Sequence, residues 1–244
     1  MSVYLDGSTA VYNLDLVGVV ADSDQFLCHF WFDPTNPNAA LQYIWATASA
    51  ATAYVRLQTN NKLAVLLEDS VGTTVAFLES TNAFTSSTGY TAVDIVVDRA
   101  QGFARMYLDG VLDDSYTPAG IDIDHSANDY AVGSRAGGSN PFTGQIDQFA
   151  IWTGFSSTYV SSTGELTGEY FRKIYDTDQA GALYRKTTSI SAALGTQPII
   201  LLENDYATWA GNNGSTSDFP LTIGTLQPEL TGREVPVGQW TFTG

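Results

Sequence analysis

The sequence predicts an all-β fold: a two-sheet antiparallel jelly-roll sandwich with one short helix and an extended C-terminal segment. Three observations carry that expectation. Short apolar or alternating runs recur at regular spacing, each closed by turn residues such as Asp6-Gly7, Asp33-Pro34, Asn60-Asn61 or Asp109-Gly110. Gly, Thr, Ser, Asn and Asp are abundant and the charged helix formers are scarce, with 44% hydrophobic and only 15% charged residues. Residues 90–152 then hold two apolar-rich strands around a turn, a second turn at Asp109-Gly110, a polar loop, and two strands flanking a glycine-rich loop.

The elements follow in chain order. Residues 3–5 read as a first strand. Residues 25–32 form a nearly continuous apolar run, the pattern of a strand buried on both faces. Residues 41–48, 53–58, 62–68 and 73–78 are further short strands, separated by turns at Asn60-Asn61 and 69–72. Val93, Ile95 and Val97 alternate with Ala92, Asp94 and Val96, which predicts a half-buried strand. Residues 104–108 return antiparallel after Gln101-Gly102, and 131–132 and 145–152 close the set. Ser162 and Glu165 fit a capping box ahead of Leu166, Tyr170 and Ile174, with Phe171 and Tyr175 broadening the apolar stripe. This predicts a helix packed across the sandwich. Residues 199–202 read as a strong short strand, and 220–225 as a strand-like run after Trp209 and a polar loop. Proline breaks and isolated apolar residues at 221–244 predict an extended arm. The expected organisation is a sandwich at 1–160, a helix-and-strand segment at 161–220 packing on or completing it, and the arm at 221–244.

Charge and composition exclude several functions. With 10 Lys and Arg against 26 Asp and Glu, the net charge of −16 leaves no basic surface for nucleic acid or an anionic membrane. The acidity serves solubility or, through clustered carboxylates, cation binding. One cysteine, Cys28, excludes an internal disulfide framework, and two histidines, His29 and His125, poorly supply a zinc site or a Ser-His-Asp triad. The start M-S-V-Y-L-D-G has no basic segment followed by an apolar run, so neither a secretory signal nor a membrane span is expected. Synthesis in the cytoplasm, with release by lysis or particle assembly, is the corresponding expectation.

Several motifs resemble a known family. A-R-M-Y-L-D-G-V-L at 104–112 and G-S-R-A-G-G-S-N-P-F-T-G-Q-I-D-Q-F-A-I-W at 133–152 resemble laminin-G-like domains of the concanavalin A-like superfamily. So does D-Q-F-L-C-H-F-W-F-D-P at 24–34. The resemblance covers roughly residues 1–155 and implies the concanavalin A-like jelly roll, a fold that hosts lectins, hydrolases and structural modules. It also brings in calcium as a candidate cofactor, with Asp6, Asp109 and Asp147 at family-like positions. Each of these has an alternative role at a turn or strand end. The segment Y-F-R-K-I-Y-D followed by T-Q-P-I-I-L-L-E-N-D-Y-A-T-W and D-F-P-L-T-I-G-T-L resembles regions that follow such sandwiches in tailed-bacteriophage proteins.

The chemistry expected of the chain is binding. Glucanases of this fold place Glu-x-Asp-x-x-Glu on one strand so that two carboxylates share a cleft. The nearest approach here, Glu203-x-Asp205, lacks the second Glu, with Thr208 in its place. No catalytic residue is assigned. A sugar site needs an aromatic platform and converging polar groups. Tyr43, Trp45 and Trp209 could stack, although Trp45 lies in an apolar strand and has core packing as its alternative. Asp129, Tyr130, Arg135 and Asn140, around the glycine-rich loop, could supply polar contacts. Arg172, Lys173, Arg185 and Lys186 hold much of the scarce positive charge and, with Trp240, are candidate assembly contacts. They could instead pair with acidic neighbours inside the fold. The sequence thus predicts a noncatalytic structural protein on the surface of a tailed-phage virion. It would display a lectin-like jelly roll in many copies or as a homo-oligomer among other virion proteins. The alternative is a carbohydrate-binding host-attachment module; a glycoside hydrolase or lyase comes third.

Overall fold

In the computed structural model, two antiparallel sheets lie face to face and a helical segment covers the outside of one. Residues 3–7, 12–14, 25–37, 40–47, 53–69, 71–118, 130–135, 139–178, 182–186, 190, 194 and 200–202 are described. In chain order the strands are β1 (Val3–Asp6), β2 (Tyr12–Leu14), β3 (Gln25–Pro34), β4 (Gln42–Thr47), β5 (Ala53–Leu57), β6 (Leu63–Glu68), β7 (Thr74–Glu79) and β8 (Thr91–Asp98). There follow β9 (Phe103–Leu108), β10 (Val111–Tyr116), β11 (Tyr130–Val132), β12 (Thr143–Trp152), helix α1 (Gly168–Ile174), β13 (Tyr175–Thr177), β14 (Leu183–Arg185) and β15 (Ile200–Leu202).

The first sheet runs β1-β12-β3-β8-β9-β10, with β15 also paired to β12. The second runs β2-β11-β4-β5-β6-β7. β1 and β15 share one edge of β12, pairing with its first and second halves. Between the sheets lies the main core, where Phe26, Cys28, Phe30 and Phe32 of β3 and Val93, Ile95 and Val97 of β8 join Ile44, Val55, Leu63 and Val65. Asp113 and Asp114, an acidic pair on β10, close the side of the sandwich by accepting backbone N–H bonds from Thr81 and Glu79 at 2.8 Å each. β10 itself was not anticipated, because its sequence V-L-D-D-S-Y carries little apolar pattern.

The structure corrects the half-buried reading of residues 92–97. Every residue of β8 is buried. Its outward residues Ala92 and Val96 belong to a second core with Leu27 and Trp31 of β3, Phe103 and Tyr107 of β9, and Trp152 of β12. Val160, Tyr170, Ile174, Tyr175, Ile190 and Leu194 cover that face. A strand sealed on both sides needs no polar alternation, and Ala92 and Val96 are small enough to lie beneath the covering layer.

The helix starts later than the capping box suggests. Thr167 is the N-cap, and its hydroxyl accepts the Tyr170 N–H. Ser161 Oγ accepts the Glu165 N–H at 3.0 Å and the Gly164 N–H goes to the Ser161 carbonyl, so 161–165 is a turn. Tyr170 and Ile174 point into the second core, as the apolar stripe requires.

A bulge in β12 ties this layer down. The register with β3 shifts between Asp147 and Ala150, and Gln148 takes φ 46°. Its buried amide bonds both backbone groups of Lys186, donating at 2.8 Å and accepting at 3.1 Å. Beside it, Arg185 pairs with the fully buried Asp147. Lys186 meets Asp176 at 3.2 Å and Arg172 pairs with Glu169. Three of the four basic candidates for assembly contacts are therefore paired within the fold, while Lys173 is exposed. The 221–244 arm with Trp240, the 220–225 run and Trp209 lie outside the described residues, as does Asp129.

Candidate functional site

The two sheets differ in what they present outward. The first is covered by the second core, whereas the second carries a small cluster of Tyr43 and Ala46 on β4, Tyr54 on β5 and Ala64 on β6, with Leu66 against it. Strand alternation explains the β5 contribution. Ala53, Val55 and Leu57 face the core, so Tyr54 and Arg56 face out. On β4 a bulge between Tyr43 and Trp45 sends Ile44 and Trp45 into the core and leaves Tyr43 and Ala46 outward. The register places Arg56 between Tyr43 and Ala64, and Tyr54 between Ala46 and Leu66. Phe77, 40% exposed, continues the second row on β7.

Arg56 is the centre of this face. Its guanidinium carbon lies 4.2 Å from the Tyr54 ring centroid and 5.7 Å from that of Tyr43. Its Nη1 donates to the Tyr43 hydroxyl at 3.1 Å. The two rings meet edge-on, with centroids 5.8 Å apart at 87°. Cation–π contact of this kind contributes roughly 0.5–2 kcal/mol. Burial raises the Tyr54 hydroxyl pKa, and the nearby guanidinium partly offsets that effect. With Tyr43 and Tyr54 only 4% and 6% exposed, the half-buried Arg56 is an accessible polar group above them, and the half-buried Glu68 lies near enough to Tyr54 to add to the rise. Lys62, Arg172, Arg185 and Lys186 each meet a carboxylate. Arg56 meets two phenol rings instead, and its Nε is buried without an acceptor.

The glycine-rich loop is fastened to the same end of β4. Tyr43 N–H donates to the Asn140 carbonyl at 2.9 Å, and Tyr43 bridges Pro141 in parallel. Gly133 N–H donates to the Ile44 carbonyl, while Arg135 N–H donates to the Ser139 carbonyl in an antiparallel bridge. Asn140 is exposed in the left-handed region at φ 51°. The backbone thus brings together Tyr43, Arg135 and Asn140, three of the residues selected from the sequence.

Other selected residues lie elsewhere. Trp45 is fully buried and packs on Phe26 at 5.9 Å, which removes it as a stacking platform. Tyr130 pairs with Thr47, toward the other end of β4. Asp109 accepts the Ala92 N–H at 2.9 Å in the β9–β10 turn, and Asp147 is committed to Arg185 and to the Gln148 N–H. Asp6 faces Thr143 in the β1–β12 register. No group of three acidic, His or Cys residues suited to a metal occurs among the described residues. Tyr54 and Arg56 were missed. The alternation in A-Y-V-R-L carried the signal, since it places both on the face opposite Val55.

One polar cluster is sealed inside. His29 Nδ1 lies 2.7 Å from Asp94 Oδ1, Tyr170 donates to the same oxygen at 2.5 Å, and Tyr175 donates to Oδ2. His29, Asp94 and Tyr170 are fully buried and Tyr175 almost so. Without solvent contact, this cluster clasps α1 to β8 rather than meeting a ligand.

A family model described as the concanavalin A-like lectin/glucanases superfamily matches residues 6–158. No curated protein matches. Among solved structures, the K499G mutant of NanB sialidase from Streptococcus pneumoniae aligns at 14% identity and TM-score 0.51, over 73% of this chain and 29% of that one. A Bacteroides ovatus protein proposed to bind carbohydrate aligns at 12% identity and TM-score 0.50, over 76% and 52% respectively. The sialyllactose-bound CBM40 of a Ruminococcus gnavus IT-sialidase aligns at 16% identity and TM-score 0.49, over 63% and 90%. At these identities the likeness is one of fold.

Proposed function

Because the chain belongs to the concanavalin A-like lectin/glucanase superfamily, we propose that it is a noncatalytic, lectin-like display module that binds carbohydrate on the outer face of its second sheet. The observation that carries this reading is the asymmetry between the sheets. The α1 layer covers the outer face of β3, β8, β9 and β12, leaving the edge strand β10 exposed in that sheet, and the other sheet presents Arg56 on a Tyr43–Tyr54 pair with Phe77 further along. The Tyr43 and Tyr54 rings are buried and serve to position Arg56 rather than to stack on a sugar, so Phe77 is the aromatic surface open to a ligand. An exposed ring with a fixed polar group suits sugars, which offer both C–H faces and hydroxyls. The Asn140 loop at the end of β4 supplies a further polar rim.

A glycan array probed with the full chain tests the proposal. Binding that weakens several-fold in Phe77→Ala and Arg56→Gln, with unchanged melting temperatures, supports it. Turnover of an oligosaccharide in a reducing-sugar assay would replace it with the hydrolase reading.

The setting proposed for this module is the surface of a tailed-bacteriophage virion, where many copies turn weak contacts into useful avidity. Support comes from the resemblance of the segment after Trp152, including residues 170–176, to phage proteins. Mass spectrometry of purified particles, with imaging to locate the copies, tests this part. Absence of the chain from particles removes it.

A further inference from the structure

Arg56 is the feature of the second sheet that general sugar binding leaves unexplained. A guanidinium carries five N–H donors. One is used by the Tyr43 hydroxyl, and Nε is buried without an acceptor. The chain has 26 carboxylates, yet Arg56 pairs with none among the described residues. Glu79 stands two strands away in the same cross-strand row, but it is held by Lys62 at 3.3 Å and Gln58 at 2.7 Å. Ala64, beside Arg56 on β6, is itself fully buried and offers the guanidinium no polar partner. The rings beneath hold the group in place before any ligand arrives, so little conformational freedom remains to be lost on binding.

We infer that Arg56 is a receptor for the carboxylate of an acidic sugar, which makes the ligand class of this face carboxylated rather than neutral glycans. The inference rests on the carbohydrate-binding reading given above. A carboxylate accepts two parallel N–H bonds from the planar fork, and charge-assisted bonds of this kind are about twice as strong as those a sugar hydroxyl makes. A neutral sugar would leave the cation desolvated against two rings without a counter-charge.

The experiment uses an array of sialic acid- and uronic acid-bearing oligosaccharides, each beside its carboxyl-reduced counterpart, together with sulfated members. The expected result is binding to carboxylated members and at least about tenfold weaker binding to the reduced ones. Arg56→Gln abolishes that preference, Arg56→Lys keeps part of it, and Tyr43→Phe, which removes only the hydroxyl that holds the guanidinium, weakens it by a smaller factor. Equal binding to carboxylated and reduced partners overturns the inference and leaves the lectin reading standing. Binding to sulfated members alone overturns the carboxylate class. Binding to none overturns both readings.

Discussion

Tyr170 on α1 donates its hydroxyl to Asp94 on β8 at 2.5 Å, through the middle of the second core. This bond, with those from Tyr175 and His29, gives a fully buried carboxylate its partners and fixes the helix over the sheet. Burial, reinforced by the Asp94 charge, holds both tyrosine hydroxyls well above their ordinary pKa, so they remain donors throughout the neutral range. Tyr170→Phe keeps the ring packing and removes one donor. Urea unfolding should show a loss of about 2 kcal/mol. Asp94→Ala strands three polar groups and leaves a cavity, and should cost roughly 3–5 kcal/mol. A near-neutral Asp94→Ala would show that the cluster does not hold the layer.

Asp109 gives the protein an acid-side pH dependence of unusual sign. Burial raises its carboxyl from 3.8 to about 6; the Ala92 N–H opposes the rise and the Asp94 charge adds to it. The folded state therefore holds this proton more tightly than the unfolded chain does. The stabilisation is complete below the unfolded value of 3.8 and is lost as pH rises to about 6. The loss from this residue is roughly 2–3 kcal/mol. Asp109→Asn keeps an acceptor for Ala92 and tolerates the left-handed φ of 49°. Its stability should be flatter than wild type between pH 4 and 6 in parallel denaturant titrations, and superimposable curves would dismiss the effect.

Two glycines in the family-like motifs are required sterically. At Gly144, φ 154°, a Cβ would overlap the Asp33 carbonyl oxygen of the neighbouring strand and lie 2.7 Å from the Phe142 ring. Backbone cannot move aside without breaking the β3–β12 ladder, so Gly144→Ala should cost about 3 kcal/mol or more. At Gly110, φ 76°, a Cβ would meet the ends of Leu183 and Phe171, at 2.6 and 3.0 Å. Those side chains can yield, so Gly110→Ala should cost about 1–2 kcal/mol. It should also loosen the layer that includes Phe171 and Leu183. Thermal melts that rank the two variants in the opposite order would contradict this geometry.

The sandwich was legible because its signals are local. Apolar runs and turn residues marked most of the strands, and D-G at 109–110 and P-F-T-G-Q-I-D at 141–147 marked sterically forced positions. What escaped was set by tertiary packing. Burial of β8 on both faces depends on α1, which lies more than 70 residues later. Ser162 and Glu165 resemble a cap, but Thr167 has the hydroxyl at the point where the chain enters the helix. For the site, Tyr43 was identified while its companion Arg56 was not. Their pairing depends on the β4–β5 register and on a bulge that shifts which β4 residues face outward. For Trp45 the core-packing alternative holds for the same reason, since the bulge carries it into the core beside Ile44.

The overall charge makes a kinetic prediction about the Arg56 site. A chain of net charge −16 repels an anionic glycan at long range, while one guanidinium attracts it only at contact. The Debye length falls from about 30 Å at 0.01 M salt to about 8 Å at 0.15 M, which screens the repulsion before the ligand reaches Arg56. The association rate for a carboxylated oligosaccharide should therefore rise with salt over that range, measured by stopped-flow or surface-based kinetics. The carboxyl-reduced counterpart should show no such dependence. A rate that falls with salt would mean that the approach is governed by a local basic field, and would direct attention to Arg135 in the adjoining loop.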